Sequence, residues 1–324
     1  IDLSALKGSA IKDNMEGAFH DCSALKSIDL SGLNTSEVTS MANLFRGCSS
    51  LESVNLSGLV TSAALSMNCM FRDCSSLKSL DLSSFNTSQL VGMNRMFEGC
   101  SSLTSLDLSS FNTSKLSCVE NRSGMVSVFD GCTSLESVTL GENFTFNGSG
   151  TERQCSLPTP SGESRTGSWV DVATGWVYGG DEIPNNTAAT YRAQRRLLGS
   201  DFSVDVSDAV YSGEAVAGRV SSDSLAEGVD YDVLYSDNVD AGIAAIAVTG
   251  KGLYAGSLSY SFEIAPAAIT AGMVSGVPSK MEAKGEQLTP PPTVTFNGAQ
   301  LVEGTDYTVS YGENVDTGKG TVTV

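Results

Sequence analysis

The chain has 324 residues, with 19 Lys and Arg against 37 Asp and Glu, a formal net charge of -18. Such a field repels phosphate backbones and argues against DNA or RNA as a main partner. His20 is the one histidine, which argues against a His-rich metal site, and no apolar run approaches the ~20 residues that cross a bilayer.

Internal repeats dominate the first half. The segment Cys22 to Leu30 returns from Cys48 to Leu56, Cys74 to Leu82, Cys100 to Leu108 and Cys132 to Leu140, at cysteine intervals of 26, 26, 26 and 32. The extra six residues of the last interval fall within Ser117 to Ser123. Ile1-Asp2-Leu3-Ser4 matches Ile28-Asp29-Leu30-Ser31, so the sequence reads as a fragment opening inside an earlier coil. Its uncapped residues 1 to 21 are expected to fray or self-associate.

Within one unit, Leu25, Ile28, Leu30 and Leu33 read as a short strand, and Met41, Leu44 and Phe45 have the spacing of one helical turn. A strand plus a helical turn in about 20 to 29 residues is the leucine-rich-repeat pattern. The spacing therefore predicts an α/β solenoid of 26-residue coils over residues 1–150, each burying its apolar groups against its neighbours.

Stacking would align equivalent residues in ladders about 4.8 Å apart. Cys22, Cys48, Cys74, Cys100 and Cys132 then form a row, read as small buried hydrophobes rather than a metal or redox series. Parallel side chains on neighbouring rungs do not supply disulfide geometry. Cys69 shares the position of Asn43 and Arg95 and is expected to face solvent. Cys118 and Cys155 lie in irregular segments, and a bridge between them stays open.

Exposed strand positions give two more rows. Ser27, Ser53, Ser79, Ser105 and Ser137 form a row of hydroxyls. Asp29, Asn55, Asp81 and Asp107, followed by Thr139, form a largely acidic row. These four Asx residues are the candidate ligand-binding set, a face for cations, basic peptides or sugar hydroxyls. The competing reading is that each Asp caps a turn or keeps the sheet soluble. Carboxylates about 5 Å apart repel by roughly 0.8 kcal/mol in water, a tolerable cost.

Residues 151–198 read as a capping segment with a β-hairpin, its Trp169 and Trp176 packing in the cap. Arg192, Arg195 and Arg196 make the one basic cluster, read as a solvated linker or interdomain contact rather than a docking site. From about residue 200 short alternating strands follow, with turn-formers between them. Gly228 to Gly242 reappears as Gly304 to Gly318, an offset of 76. The expectation is an all-β Ig-like sandwich module over 199–266 and a truncated second one over 267–324. The second copy lacks a counterpart of Ser257 to Ile264, the closing strand. Asp230, Asp232, Asp237 and Asp240 do not have EF-hand spacing and read as hairpin chemistry rather than a calcium site.

The run from Met93 to Ser114, with its Met-x-x-Met/Leu-Phe-x-x-Cys-Ser-x-Leu pattern, resembles the BspA-like bacterial surface leucine-rich repeats. The resemblance covers residues 1 to about 150 and extends into Trp169–Tyr178. It implies a secreted or wall-anchored protein, some relatives being adhesins, and carries over no binding residues. The second half resembles the Ig-like stalk modules of bacterial surface proteins.

A hydrolase would have to use His20, Asp21 and Cys22, but the register places His20 with Arg46, Arg72 and Glu98 at a water-facing position and Cys22 in the buried row. A nucleophile cannot be both core and accessible. The sequence therefore predicts a non-enzymatic cell-surface protein with no cofactor and no metal. It would recognise host or bacterial surface proteins, matrix proteins among them, through the solenoid face. The alternatives are a structural spacer or an accessory region of a carbohydrate-handling protein whose catalytic domain lies elsewhere.

Overall fold

The computed structural model describes residues 10–116, 124–146, 155–205 and 209–324. It divides into two compact units: residues 1–201, 224–232 and 249–257 in the first, and 202–223, 233–248 and 258–324 in the second.

The first unit begins with β1 (Ala10–Asn14), β2 (Ser27–Asp29), β3 (Asn34–Ser40) and β4 (Ser53–Asn55), followed by β5 (Ser105–Leu108) and β6 (Ser137–Leu140). Parallel pairing joins β1 to β3, β2 to β4 and β5 to β6. Isolated parallel bridges link Ser40 to Ser66 and Ser66 to Gly92. The strands are short because each coil offers only two or three inward apolar side chains before it must turn. In β5, Leu106 and Leu108 are buried while Ser105 and Asp107 face water.

Among the described residues the expected helical turns are absent, and the α/β class is overturned. Helix accounts for 2% of the structure against 32% strand, in many small sheets rather than a solenoid of α/β repeats. The helical elements described are three-residue 3-10 turns at Gly199–Asp201 and Ala271–Met273. The physical reason lies in the backbone of the Met-x-x-Leu-Phe segment. Asn43 and Gly47 have φ of 55° and 74°, and their counterparts Cys69 and Asp73, Arg95 and Gly99, Ser127 and Gly131 are left-handed too. An α-helix needs negative φ at every residue.

Alternate N–H groups therefore leave their own segment. Met41, Asn43, Phe45 and Gly47 donate to the carbonyls of Ser66, Asn68, Met70 and Arg72 one coil on, at 2.8–2.9 Å. Leu44, Arg46 and Cys48 close turns on the carbonyls of Met41, Asn43 and Phe45 within their own coil. Every other peptide thus bonds along the stack, which satisfies donors that would otherwise be buried without partners.

The same register builds the core. Phe19, Phe45, Phe71, Phe97 and Phe129 form a column of near-parallel rings, with successive centroids 5.4, 5.6, 6.0 and 6.0 Å apart. At the end of the stack β7 (Arg165–Asp171), β8 (Val177–Tyr178) and β9 (Ala189–Arg196) close the sheet in the order β5-β6-β9-β7-β8. Because β9 runs antiparallel to β6, it ends the parallel run. Trp169 is fully buried there, its indole N–H donating to the Pro158 carbonyl at 2.9 Å.

Beyond these lie β10 (Ser203–Asp205), β11 (Ala209–Val210), β12 (Arg219–Ser221), β13 (Tyr231–Ser236), β14 (Gly242–Gly250), β15 (Tyr254–Ala255) and β16 (Ser257–Ala265). The last set is β17 (Val274–Ser275), β18 (Thr293–Phe296), β19 (Ala299–Gln300), β20 (Ser310–Tyr311) and β21 (Val322–Thr323). The Ig-like sandwich expectation is corrected here: the second unit holds one four-stranded sheet, β11-β16-β14-β13, and separate sheets of two or three strands. A sandwich packs two sheets face to face, whereas here the strands outside the four-stranded sheet are split among pairs and a triplet rather than joined in a second sheet.

Candidate functional site

The strand-edge row starts from a local sequence rule. Asp or Asn followed two residues later by Ser folds into an Asx turn, in which the side-chain oxygen accepts the backbone N–H two residues on. Oδ1 of Asp29 accepts from the N–H of Ser31 at 2.9 Å, and Oδ1 of Asp107 from that of Ser109 at 2.9 Å. Oδ1 of Asn55 accepts from both the N–H and the hydroxyl of Ser57, and Oδ1 of Asp81 does the same with Ser83. The turn-capping role considered from the sequence is therefore present at all four positions.

Pairing aligns these residues. Ser27 faces Ser53 and Asp29 faces Asn55 across β2 and β4, while Ser105 faces Ser137 and Asp107 faces Thr139 across β5 and β6. Asp29, Asn55, Asp81 and Asp107 are all exposed, as are Ser27, Ser53, Ser79 and Ser105. Toward β6 the character changes: Thr139 is half-buried, and its hydroxyl lies 3.0 Å from that of Thr190 on β9. The acidic row thus ends where the cap begins. The hydroxyl and N–H of Ser83 hold the Asp81 carboxyl below the usual carboxylate range, so it stays ionised in mildly acidic solution. The result is a narrow stripe of fixed acceptors flanked by hydroxyls, suited to polar or cationic groups and without a cleft of its own.

The cysteine row occupies a buried corner. Cys48, Cys74, Cys100 and Cys132 are free thiols, at most 1% exposed. Each donates its S–H to a carbonyl of the preceding coil, that of Phe19, Phe45, Phe71 and Phe97 respectively, at 3.0–3.1 Å. Burial pushes the Cys48 thiol up to about 11 and that of Cys132 up to about 12, far from nucleophilic use at neutral pH. Cys22 and Cys69 are half-buried. Cys155 is engaged in a disulfide, while Cys118, the other half of the bridge weighed from the sequence, lies outside the described residues. Residues 1–9, at the end expected to fray, lie outside them as well.

Other sequence candidates go to structural work. His20 is exposed, with Asp21 at 3.6 Å. Its counterparts Arg72 and Glu98 are not freely solvated: they form an ion pair at 3.0 Å with side chains 22% and 24% exposed. Asp230 caps its own turn through the N–H of Ala226, and Asp232 pairs with Lys251 at 3.1 Å. Among the described residues no group of three or more His, Cys, Asp or Glu is placed to hold a metal ion. On β9, Arg195 lies 4.0 Å from Glu136, which Arg165 also engages, so part of the basic cluster is tied to this chain's own acid.

Two features escaped the sequence reading. Thr35, Thr61, Thr87, Thr113 and Thr145 are all buried, at the same position of successive coils, although their repeat spacing is visible in the sequence. Trp176, grouped with Trp169 as cap packing, is 68% exposed beside Val172 and Val177 at 51% and 48%. The difference follows from position: Trp169 lies within β7, while Trp176 follows Gly175 at the hairpin tip.

No curated protein and no solved structure matches the chain. Residues 13–139, the stacked coils, match the family model described as Mycoplasma protein of unknown function, DUF285, which supports similarity to a bacterial BspA-like surface repeat family.

Proposed function

We propose that this chain is a non-enzymatic bacterial cell-surface protein that recognises other surface or matrix proteins through the exposed row of its stacked coils. The β-rich second unit then serves as a spacer. The observation carrying this reading is the register that sets Asp29 beside Asn55 and Ser27 beside Ser53, repeated where Asp107 and Ser105 pair with β6, with Asp81 exposed at the equivalent repeat position. Repetition at rung spacing lets many weak contacts add up along an extended partner. The pinned side chains lose little further freedom on binding.

Asn55 makes the same turn without a charge, and it provides the test. The combined variant Asp29→Asn, Asp81→Asn, Asp107→Asn keeps every turn acceptor and removes three negative charges. Residues 1–324 and this variant are screened against matrix proteins and bacterial surface extracts. Saturable binding that weakens at least tenfold in the variant supports the reading, whereas undiminished binding removes this row from it.

A structural spacer is the second reading, and one observation favours it: an oxygen of each Asx side chain is already committed to its own turn. The absence of saturable binding to any screened partner would favour that role.

A further inference from the structure

The exposed sheet face of the first unit carries both signs of charge, and the strand register gives their order. Ser105 faces Ser137 across β5 and β6, and Ser137 faces Arg192 across β6 and β9. Directly paired residues share a face of the sheet. Arg192 therefore ends the hydroxyl row, on the same side as Asp107, Thr139 and Thr190. Its neighbours agree: Tyr191 and Ala193 turn into the core at 0% and 4% exposure, while Arg192 is exposed.

The other arginines of the cap are placed differently. Arg165 and Arg195 both reach Glu136, and Arg196 stands where β9 pairs with β15. Among the described residues no carboxylate pairs with Arg192. The fold does not require its side chain either, because β9 is held by its pairing to β6 and β7 and by Tyr191 on the inner side. Rungs about 4.8 Å apart place its strand roughly 10 Å beyond that of Asp107 and roughly 24 Å beyond that of Asp29. The rung between Asp107 and β9 contributes Thr139, which is neutral.

Resting on the reading of this face as the recognition surface, we infer that Arg192 is its specificity-determining residue for charge order. The partner is an extended protein segment lying along the stack. Its basic side chains meet Asp29, Asp81 and Asp107, and an acidic side chain meets Arg192. An exposed ion pair adds little affinity, so Arg192 is not the anchor. It discriminates instead, attracting a carboxylate and repelling a lysine brought to the same point. The face accordingly takes such a segment in one direction and rejects a uniformly basic one.

The probes are three peptides with blocked termini, displayed densely on a sensor surface over which the 324-residue chain flows at low salt. Lys-Thr-Thr-Lys-Lys-Thr-Thr-Asp follows the charge order at about 3.4 Å per residue. The other two carry Thr or Lys in place of the Asp. The Asp peptide is expected to bind at least tenfold more tightly than the Lys peptide, with the Thr peptide between them. Arg192→Gln is expected to bring the three within about twofold of one another, and Arg192→Glu to reverse the order, which loss of a structural contact would not do. Unchanged thermal unfolding of both variants shows that they are folded. A preference that survives Arg192→Gln would overturn the inference. Equal binding of the Asp and Lys peptides, lost in the combined Asp29→Asn, Asp81→Asn, Asp107→Asn variant, would overturn it alone and leave the acidic row as the recognition surface. No saturable binding of any peptide would overturn both.

Discussion

The Thr61 hydroxyl accepts the N–H of Asn86 at 2.8 Å and donates to the carbonyl of the same residue at 3.2 Å. One side chain thus serves both backbone polar groups of a single residue in the next coil. The relation repeats from Thr35 to Val60, Thr87 to Asn112 and Thr113 to Thr145. Here hydroxyls replace the strand pairing that the corner of the coil cannot make.

Thr61→Val keeps the shape of a residue that is 1% exposed and removes both bonds. The backbone N–H and C=O of Asn86 then both lose their partner, and a stability loss of about 1–3 kcal/mol is expected. Thr61→Ser retains the hydroxyl and should lose less. Urea midpoints of the two variants, read at unchanged m-value, decide the matter.

How far these ladders were legible in the sequence varies by residue type. The 26-residue cysteine spacing was enough to place Cys48, Cys74, Cys100 and Cys132 in one buried row, because stacked coils must repeat their register. The same spacing in Thr35, Thr61, Thr87 and Thr113 carried equal information, but Thr is common in loops and nothing local separates a buried hydroxyl from a solvated one. The helix expectation failed at Met41, Leu44 and Phe45 because i, i+3, i+4 spacing also suits a run of turns. Gly47, Gly99 and Gly131 signalled left-handed backbone, whereas Arg95 and Cys69 concealed it. At the candidate site, alternation exposed Asp29 and Asp107, and Asp-x-Ser spelled out their turns. In the second half the two copies were readable, but their layering was not, because two- to four-residue strands leave too little pattern to show which faces are covered.

The buried thiols give a pH-dependent prediction. A thiol raised above its ordinary value of 9.0 binds its proton more tightly folded than unfolded, so its contribution is full below about pH 9 and is lost as pH rises toward the folded value. With Cys48 near 11 and Cys132 near 12, stability should fall above pH 9. At pH 8 a bulky thiol reagent should modify Cys22 and Cys69 and spare Cys48, Cys74, Cys100 and Cys132. Mass mapping of the labelled chain at pH 8, together with a urea series between pH 7 and 10.5, checks both parts. Rapid modification of Cys74 or Cys100 without unfolding would contradict the packing.

Phe71 sits in the middle of the ring column, fully buried, with neighbours at 5.6 and 6.0 Å. Phe71→Ala removes contacts with the coils on both sides and leaves a cavity that neighbouring rungs cannot fill, for an expected loss of about 3–5 kcal/mol. Phe19, half-buried and with one stacked neighbour among the described residues, should cost less as Ala. Comparable losses at the two positions would mean that the column does not act as a continuous core. Thermal unfolding of both variants by circular dichroism provides the comparison.

Gly99 tests the backbone that displaced the helix. Its φ is +75°, and an added Cβ would lie 2.6 Å from Oδ1 of Asp73 in the preceding coil. That carboxylate is exposed and can turn away, whereas the Asp73 Cα at 3.3 Å cannot, so Gly99→Ala costs the left-handed conformation, about 1–2 kcal/mol, plus a tight backbone contact that Asn shares. Gly99→Asn adds the same Cβ on a side chain that tolerates this region, and it should lose less than Ala. Were Gly99 helical instead, Ala would stabilise the chain relative to Gly and Asn would not. The order of the three urea midpoints therefore distinguishes a coil built from alternating left-handed turns from one built around a helix.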